Sequence, residues 1–284
     1  MLPGPGEEGH VQHDGLGTRR AALDARWGHV EILDVSQELS TPIAEVAVRA
    51  AASRLPRAGS VLSPVHAIER TGSSLRVISG VVDGLRLSDL LEALDAQTLR
   101  LPDEALLELG AMVVTSVHWM HETSEASCHG AVLPAHMVLK ENGQLMLTDG
   151  VFGEALSRLR AGRDHLWREY GLAMPLVASD PVFDHRADIA GTGAVVLALM
   201  IRRPLRVAEY PRDLDELVMA STARLPEWGP ALRSWLQRAL QLNSAFATSA
   251  GCSASFAGVL QRATRRREGA RALLSELFSP IQVG

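Results

Sequence analysis

Apolar and polar residues alternate in the first third of the chain and follow a helical spacing in the rest. The alternation covers residues 61–68 and 75–82 on either side of Gly72, which predicts two paired strands. From residue 102 to residue 121 the apolar side chains recur every three or four positions, which predicts an amphipathic helix. Further helices are predicted over residues 188–200, 232–242 and 254–262.

One helix is predicted in the early, strand-rich part. Ser40-Thr41-Pro42 is typical of a helix start, with an N-cap hydroxyl and a proline in the first helical turn. The helix is expected to end near Leu55, because Pro56 cannot continue it. Its apolar stripe consists of Ile43, Val46, Ala47, Ala50 and Ala51.

A β-hairpin is predicted near the middle of the chain. The short apolar runs Met137–Leu139 and Leu145–Leu147 flank a polar segment that contains Asn142-Gly143. Asn-Gly favours a hairpin turn, because both residues tolerate positive φ. The loop that begins at His129 precedes this hairpin, and a turn at Asp149 follows it.

Composition limits the classes of partner. The 284 residues are 46% hydrophobic and 4% aromatic, so a large core must consist mainly of Leu, Val and Ala. The net charge of -5 does not favour nucleic acid or an anionic membrane as the partner. Lys140 is the single lysine, so no lysine precedes it. Cys128 and Cys252 have no metal-type spacing and are expected to be reduced thiols.

The termini and apolar runs bear on localisation. Residues 1–13 are rich in Gly, Pro and Glu and are expected to form a flexible leader. They lack the basic and then apolar order of a secretory signal. The longest apolar run, residues 194–201, is too short to span a bilayer. We therefore expect a soluble, cytoplasmic protein.

The order of these features resembles a known family. His129, Pro134, the hairpin and Asp149 follow one another as do the catalytic loop, hairpin and metal-binding turn of bacterial eukaryotic-like (Hanks-type) serine/threonine protein kinases. Residues 15–35 resemble the first strands of the kinase small lobe, and residues 81–91 resemble the hinge. Asp188 begins a segment that resembles the central helix of the large lobe.

The resemblance implies an α+β, two-lobed fold. A small, mostly β N-lobe is expected over residues 14–82 and a larger, mostly helical C-lobe over residues 83–268. Residues 154–187 would occupy the place of the activation segment and are expected to be loop-like. Residues 269–284 would form a helical extension.

The chemical positions of the family are replaced. By the resemblance, Leu33 stands for the phosphate-binding Lys, Ala131 for the catalytic Asp, Leu133 for the loop Lys and His136 for the metal-binding Asn. Asp149 remains but is a poor magnesium site by itself. These replacements predict a pseudokinase, with no enzymatic activity, no cofactor, no bound metal and no Mg-ATP.

Three residues are expected to keep structural roles. His129, Asp149 and Asp188 can all make hydrogen bonds that hold the loop, and in the family the Asp at the position of Asp188 binds backbone amides of the catalytic loop. Because the structural residues of the loop are retained and the catalytic residues are replaced, we expect a scaffold or allosteric regulator that binds a protein partner. The alternatives are a nucleotide or small-molecule sensor without turnover, and an enzyme that uses His129, His136 and Asp149 as a metal or acid–base site.

The C-terminal extension offers a candidate interaction surface. A helix would place four apolar residues on one side, namely Leu273, Leu274, Leu277 and Phe278. If exposed, that side would suit a partner's groove. The alternative, slightly favoured, is that it docks on the chain's own large lobe.

Overall fold

The computed structural model describes residues 11–55, 61–123, 128–176, 180–225, 227–263, 274 and 277. Its N-terminal lobe is a five-stranded antiparallel sheet, in the order β1-β2-β3-β5-β4, with one helix packed beside it. These elements are β1 (Val11–Asp14), β2 (Gly17–Asp24), β3 (Gly28–Val35), α1 (Pro42–Arg54), β4 (Val65–Thr71) and β5 (Ser74–Gly80). The two strands predicted around Gly72 are β4 and β5, and they pair as expected.

The C-terminal lobe is mostly helical. Its small three-stranded sheet is formed by β6 (Leu85–Arg86), β7 (Met137–Leu139) and β8 (Leu145–Leu147). Its helices are α2 (Leu87–Asp95), α3 (Asp103–Thr123), α4 (Gly153–Arg158), α5 (Arg163–Tyr170), α6 (His185–Ile201), α7 (Leu214–Ala223), α8 (Gly229–Ala239) and α9 (Ser249–Ala263). The predicted α+β, two-lobed fold is confirmed.

Helix α6 forms the centre of the large lobe. Fourteen consecutive residues, Ala187 to Met200, are buried, because α3, α7, α8 and α9 pack around this helix. Such all-round burial matches the apolar run of residues 194–201 in the second half of the helix. A second core joins the lobes: Leu16 and Leu33 of the small lobe pack with Phe152 and Leu166 of the large lobe.

Helix α1 begins as predicted but turns a different face inward. The Thr41 hydroxyl oxygen accepts a hydrogen bond from the Ala44 amide at 3.1 Å. The predicted stripe is only partly buried, since Ile43 and Val46 are 66% and 68% exposed. The buried residues are Ala44, Ala47, Val48 and Ala51. Small side chains face inward because α1 packs against α4.

Three predicted boundaries are corrected. Residues 11–13 belong to β1, which pairs with β2, so they are not part of a leader; residues 1–10 lie outside the described residues. The segment 154–187 is not loop-like throughout, since it contains most of α4 and all of α5. Asp188 does not begin its helix, because α6 starts at His185 with the Asp184 side chain as N-cap.

The C-terminal extension is described at two positions. Leu274 is buried in the large-lobe core, and Leu277 is partly buried against the same core. Leu274 is therefore not an exposed interaction residue, which corrects that hypothesis at this position. Leu273 and Phe278 lie outside the described residues. Within the described ranges, no helix combines the length and the apolar character that crossing a bilayer requires.

Candidate functional site

Asp188 anchors the loop that begins at His129. Its Oδ2 accepts a hydrogen bond from the His129 amide at 2.7 Å, and its Oδ1 accepts one from the Gly130 amide at 2.8 Å. The His121 Nε2 atom lies 2.7 Å from Oδ2. Asp188 is 1% exposed, so each of these contacts replaces water that the carboxylate loses on burial. These are the backbone contacts that the resemblance implies for Asp188.

The His129 ring lies inside the loop. Its Nδ1 atom accepts a hydrogen bond from the Ala131 amide at 3.2 Å, so a neutral ring carries its proton on Nε2. Burial lowers the pKa of His129 to about 4, and the ring is therefore neutral at pH 7. Gly130 has φ +75°, and a Cβ there would lie 2.3 Å from the Gly153 Cα. Glycine is thus required at position 130.

The replaced loop positions are apolar or engaged with the backbone. Ala131 is fully buried, and its carbonyl oxygen accepts a hydrogen bond from His136 Nδ1 at 2.9 Å. Leu133 is half-buried and packs with the core that joins the lobes. His136 is 1% exposed. The methyl group of Ala131 and the isobutyl group of Leu133 offer no acid or base to a substrate.

Arg19 of β2 is the central residue of the cleft. Its Nε atom lies 2.8 Å from Asp14 Oδ2, and its Nη1 atom lies 2.9 Å from Asp149 Oδ2. Nη1 is also 3.2 Å from Glu31 Oε1, and Nη2 is 3.2 Å from His136 Nε2. Only 2% of Arg19 is exposed. We call these five residues the Arg19 cluster.

Further polar contacts surround the Arg19 cluster. Asp14 Oδ2 lies 3.1 Å from His136 Nε2, and Asp14 Oδ1 accepts a hydrogen bond from the Leu16 amide at 2.8 Å. Arg86, just before α2, pairs with Glu31 and donates a hydrogen bond to the Ala135 carbonyl oxygen at 2.8 Å. A continuous series of opposite charges therefore crosses from one lobe to the other.

The charges of the Arg19 cluster stabilise one another. Burial raises the pKa of the Asp149 carboxyl, but the charges of Arg19 and His136 and a hydrogen bond from Thr148 lower it more, so the pKa lies below its usual range. The Asp14 pKa is also lowered: burial opposes the shift, and His136 and Arg19 outweigh it. Burial would lower the pKa of Arg19, but Asp149, Asp14 and Glu31 raise it instead. At neutral pH the Arg19 guanidinium therefore lies between the ionised carboxylates of Asp14 and Asp149.

The β1–β2 turn closes over this region. Leu16 at the turn is 2% exposed and packs in the core that joins the lobes. A Cβ on Gly15 would lie 2.3 Å from the Glu169 carbonyl oxygen and 2.5 Å from the Tyr170 Cα. The Tyr170 hydroxyl donates a hydrogen bond to Glu38 of the small lobe at 2.7 Å. The turn therefore rests directly on α5 of the large lobe.

The residues of the cleft do not fit a magnesium nucleotide. Phosphoryl transfer needs a cation on the phosphates and oxygen ligands for the metal. Leu33, which the resemblance aligns with the family's Lys, pairs directly with Arg19 across the sheet and is itself buried. The Arg19 guanidinium contacts Asp149, the carboxylate expected to bind metal. The Arg19 guanidinium therefore lies beside Asp149, where a magnesium ion bound to this carboxylate would lie.

Sequence reasoning placed some of these residues and missed others. It identified His136, Asp149 and Leu33, which the fold brings to one cleft, but it missed Arg19, Asp14, Glu31 and Arg86. One signal existed in the Gly-rich motif of kinases, which has three spaced glycines followed by a valine. If Gly17 is aligned with the third glycine, Asp14 falls at the second glycine and Arg19 falls at the valine. A charged pair at these positions was the available clue.

The hypothesis of a metal site is not supported by the geometry. No group of three His, Cys, Asp or Glu side chains in the described part of the chain is arranged to hold a metal. His136 and Asp149 both contact Arg19. His118 and His121, one turn apart on α3, have separate contacts with Ser249 and Asp188.

Comparison with solved structures defines the class of fold. The kinase domain of maize SIRK1 (sucrose-induced receptor kinase 1), bound to AMP-PNP, has a TM-score of 0.66 and 14% identity over 89% of this chain and 92% of its own. The kinase domain of Mycobacterium tuberculosis PknI has a TM-score of 0.61 and 18% identity over 90% and 94%. The protein therefore has the fold of a serine/threonine protein kinase domain. Its sequence matches no family model and no curated protein.

Proposed function

We propose that the protein is a catalytically inactive kinase-like domain, a pseudokinase, that serves in the cytoplasm as a scaffold or allosteric regulator of a protein partner. The observation that carries this proposal is the contact of the Arg19 guanidinium with Asp149. Through this contact, the side chain of Arg19 occupies Asp149, which is the one carboxylate that the resemblance retains from the family's metal site. A nucleotide with its metal would have to displace a buried ion pair.

The residues around this contact support the same conclusion. Ala131 has no group that could orient a substrate hydroxyl, and Leu33 has none that could neutralise a phosphate. Asp188 and His129 nevertheless hold the loop in place. A fold that keeps its supporting hydrogen bonds without reactive groups suits binding rather than catalysis.

Thermal melting with nucleotide tests the proposal. A ligand that binds only the folded state raises the melting temperature by mass action. We expect millimolar ATP with magnesium to leave the melting temperature unchanged and to give no phosphate transfer to the protein or to a generic substrate. AMP without metal is the control for binding of adenine alone. A rise of several degrees with Mg-ATP but not with AMP would refute the proposal.

A sensor without turnover is the second candidate. A cavity of about 480 Å³ next to the cleft favours it, which is a volume typical of small-molecule sites. Gln12 and His13 of β1, Ser88 and Glu92 of α2, and Ala135 contribute to its walls. This candidate predicts that a metabolite raises the melting temperature in the absence of magnesium, and that Ser88→Trp, which would fill the cavity, removes the effect.

A further inference from the structure

We infer that Arg19 is a built-in substitute for the ligand that closes a kinase cleft: its guanidinium joins Asp14 and Glu31 of the small lobe to Asp149 and His136 of the large lobe, and so keeps the β1–β2 turn closed without nucleotide or metal. The inference concerns closure, not catalysis. It goes beyond the proposed function and can fail independently of it.

The first support is the position of Arg19 in the sheet. Arg19 pairs with Leu33 across β2 and β3, and their side chains lie on the same face, towards the cleft. The neighbouring Arg20 points to the opposite face, where its side chain is 40% exposed and lies 3.8 Å from Asp34. Two consecutive arginines on one strand thus have different surroundings, and only Arg19 enters the cleft.

The second support is the distribution of its partners between the lobes. Asp14 ends β1 and Glu31 lies on β3, whereas Asp149 follows β8 and His136 precedes β7. One planar group contacts all four residues. Because a guanidinium has five N–H donors in a fixed plane, it suits such multiple contacts better than a lysine ammonium would.

The third support is the cost of an unpaired charge. Without Arg19, the carboxylates of Asp14 and Asp149 would lose their cation, whereas Glu31 would keep Arg86; removing one partner from a buried ion pair is strongly destabilising. The carboxylates would then separate, and the β1–β2 turn that contains Gly15 and Leu16 would leave α5. Closure should therefore depend on a cation at this point.

Chemical rescue tests the inference. The variant Arg19→Ala removes the guanidinium, and free guanidinium ion at about 10–20 mM, far below its denaturing range, can occupy the space. We expect the ion to raise the melting temperature of Arg19→Ala by about 2–6 °C and not to raise that of the wild type. Urea, which is neutral and of similar shape, should have no such effect. Arg20→Ala is the matched control on the same strand and should melt as the wild type does, with or without guanidinium.

Hydrogen exchange shows whether closure itself is affected. In Arg19→Ala the amides of residues 14–17 and 148–152 should exchange faster, the amides at the centre of α6 should stay protected, and guanidinium should restore slow exchange. Unchanged exchange in Arg19→Ala, or rescue by urea as well as by guanidinium, would overturn the inference. If Arg19→Ala does not fold alone, recovery of folded protein on refolding with guanidinium becomes the measurement, and no recovery overturns it.

A double-mutant cycle separates a direct contact from a general loss of stability. We expect Arg19→Ala and Asp149→Ala to be coupled by about five- to a hundredfold in the unfolding equilibrium constant. The control pair is Arg76 and Asp34, which are 2.8 Å apart with side chains 40% exposed, and which should show weak coupling. Equal coupling in the two cycles would show that Arg19 has no special role.

Discussion

At the scale of single residues, two buried carboxylates have different tasks. Asp188 binds two backbone amides and approaches His121, so it fixes the course of the loop. Asp149 has φ +65° and contacts Arg19 and the Thr148 hydroxyl, so it connects its own turn to β2 of the small lobe. The sequence alone predicts that Asp149→Ala lowers the free energy of unfolding less than Asp188→Ala does, provided that Asp149 is partly exposed. Since Asp149 is 8% exposed, that condition is not met.

We expect Asp188→Ala to lower the free energy of unfolding by at least about 2 kcal/mol, because two buried amides lose their acceptor. Asp188→Asn keeps one acceptor oxygen and should lose less. Chemical denaturation of the three proteins measures both differences. If Asp188→Ala has a midpoint and slope like those of the wild type, the carboxylate does not anchor the loop.

At the scale of elements, the position of the β1–β2 turn bears most directly on nucleotide binding. In a kinase-type fold this turn lies above the phosphates. Here Gly15 touches the backbone of α5, and Leu16 enters a core with Phe152. The turn is therefore packed against the large lobe at both of these residues.

A methyl group at Gly15 should disturb this packing. Gly15→Ala places a Cβ 2.3 Å from a backbone oxygen, which cannot move as a side chain would, so the turn must shift. We expect a loss of about 1–3 kcal/mol, as for other overpacked sites. Gly258→Ala in α9, where a Cβ meets nothing within 4 Å, is the control and should be neutral or slightly stabilising. Equal melting of the two variants would show that the turn is not packed on α5.

Local signals predicted the elements better than they predicted their contacts. The hairpin followed from Asn142-Gly143, and α1 from the cap at Thr41, since both depend on neighbouring residues. The Arg19 cluster did not follow, because Arg19 and His136 are 117 positions apart and only the assembled lobes bring them together. The outward position of Ile43 and Val46 likewise depends on α4, which periodicity within α1 cannot indicate.

At the scale of the whole molecule, a leucine beyond the end of α9 contributes to the large lobe. Leu274 is 4% exposed and belongs to the core around α6, although it follows α9 by eleven positions. The position of this side chain favours docking of the segment on the chain itself. Under the proposed scaffold role, the region of residues 154–187 is then the next candidate for a protein-binding surface.

Deletion of residues 269–284 and the point variant Leu274→Ala test this docking. Each should lower the free energy of unfolding, by about 2–4 kcal/mol for Leu274→Ala, because a buried leucine leaves a cavity. Met219→Ala, at a side chain on α7 that is 42% exposed, is the control and should change little. Normal melting of the deletion variant, together with loss of co-purifying proteins, would instead identify the extension as a partner site.

The pairing of Arg19 with Leu33 has an evolutionary consequence. Recovery of a phosphate-binding lysine at position 33 would place a second cation directly opposite Arg19 on the neighbouring strand, where like charges repel. Loss of Arg19 first would leave Asp14, Glu31 and Asp149 without their shared cation. Substitution at either position alone is therefore penalised until the other has also changed. Positions 19 and 33 are coupled by epistasis, so under the proposed function a phosphate-binding lysine at position 33 requires a change at position 19 as well.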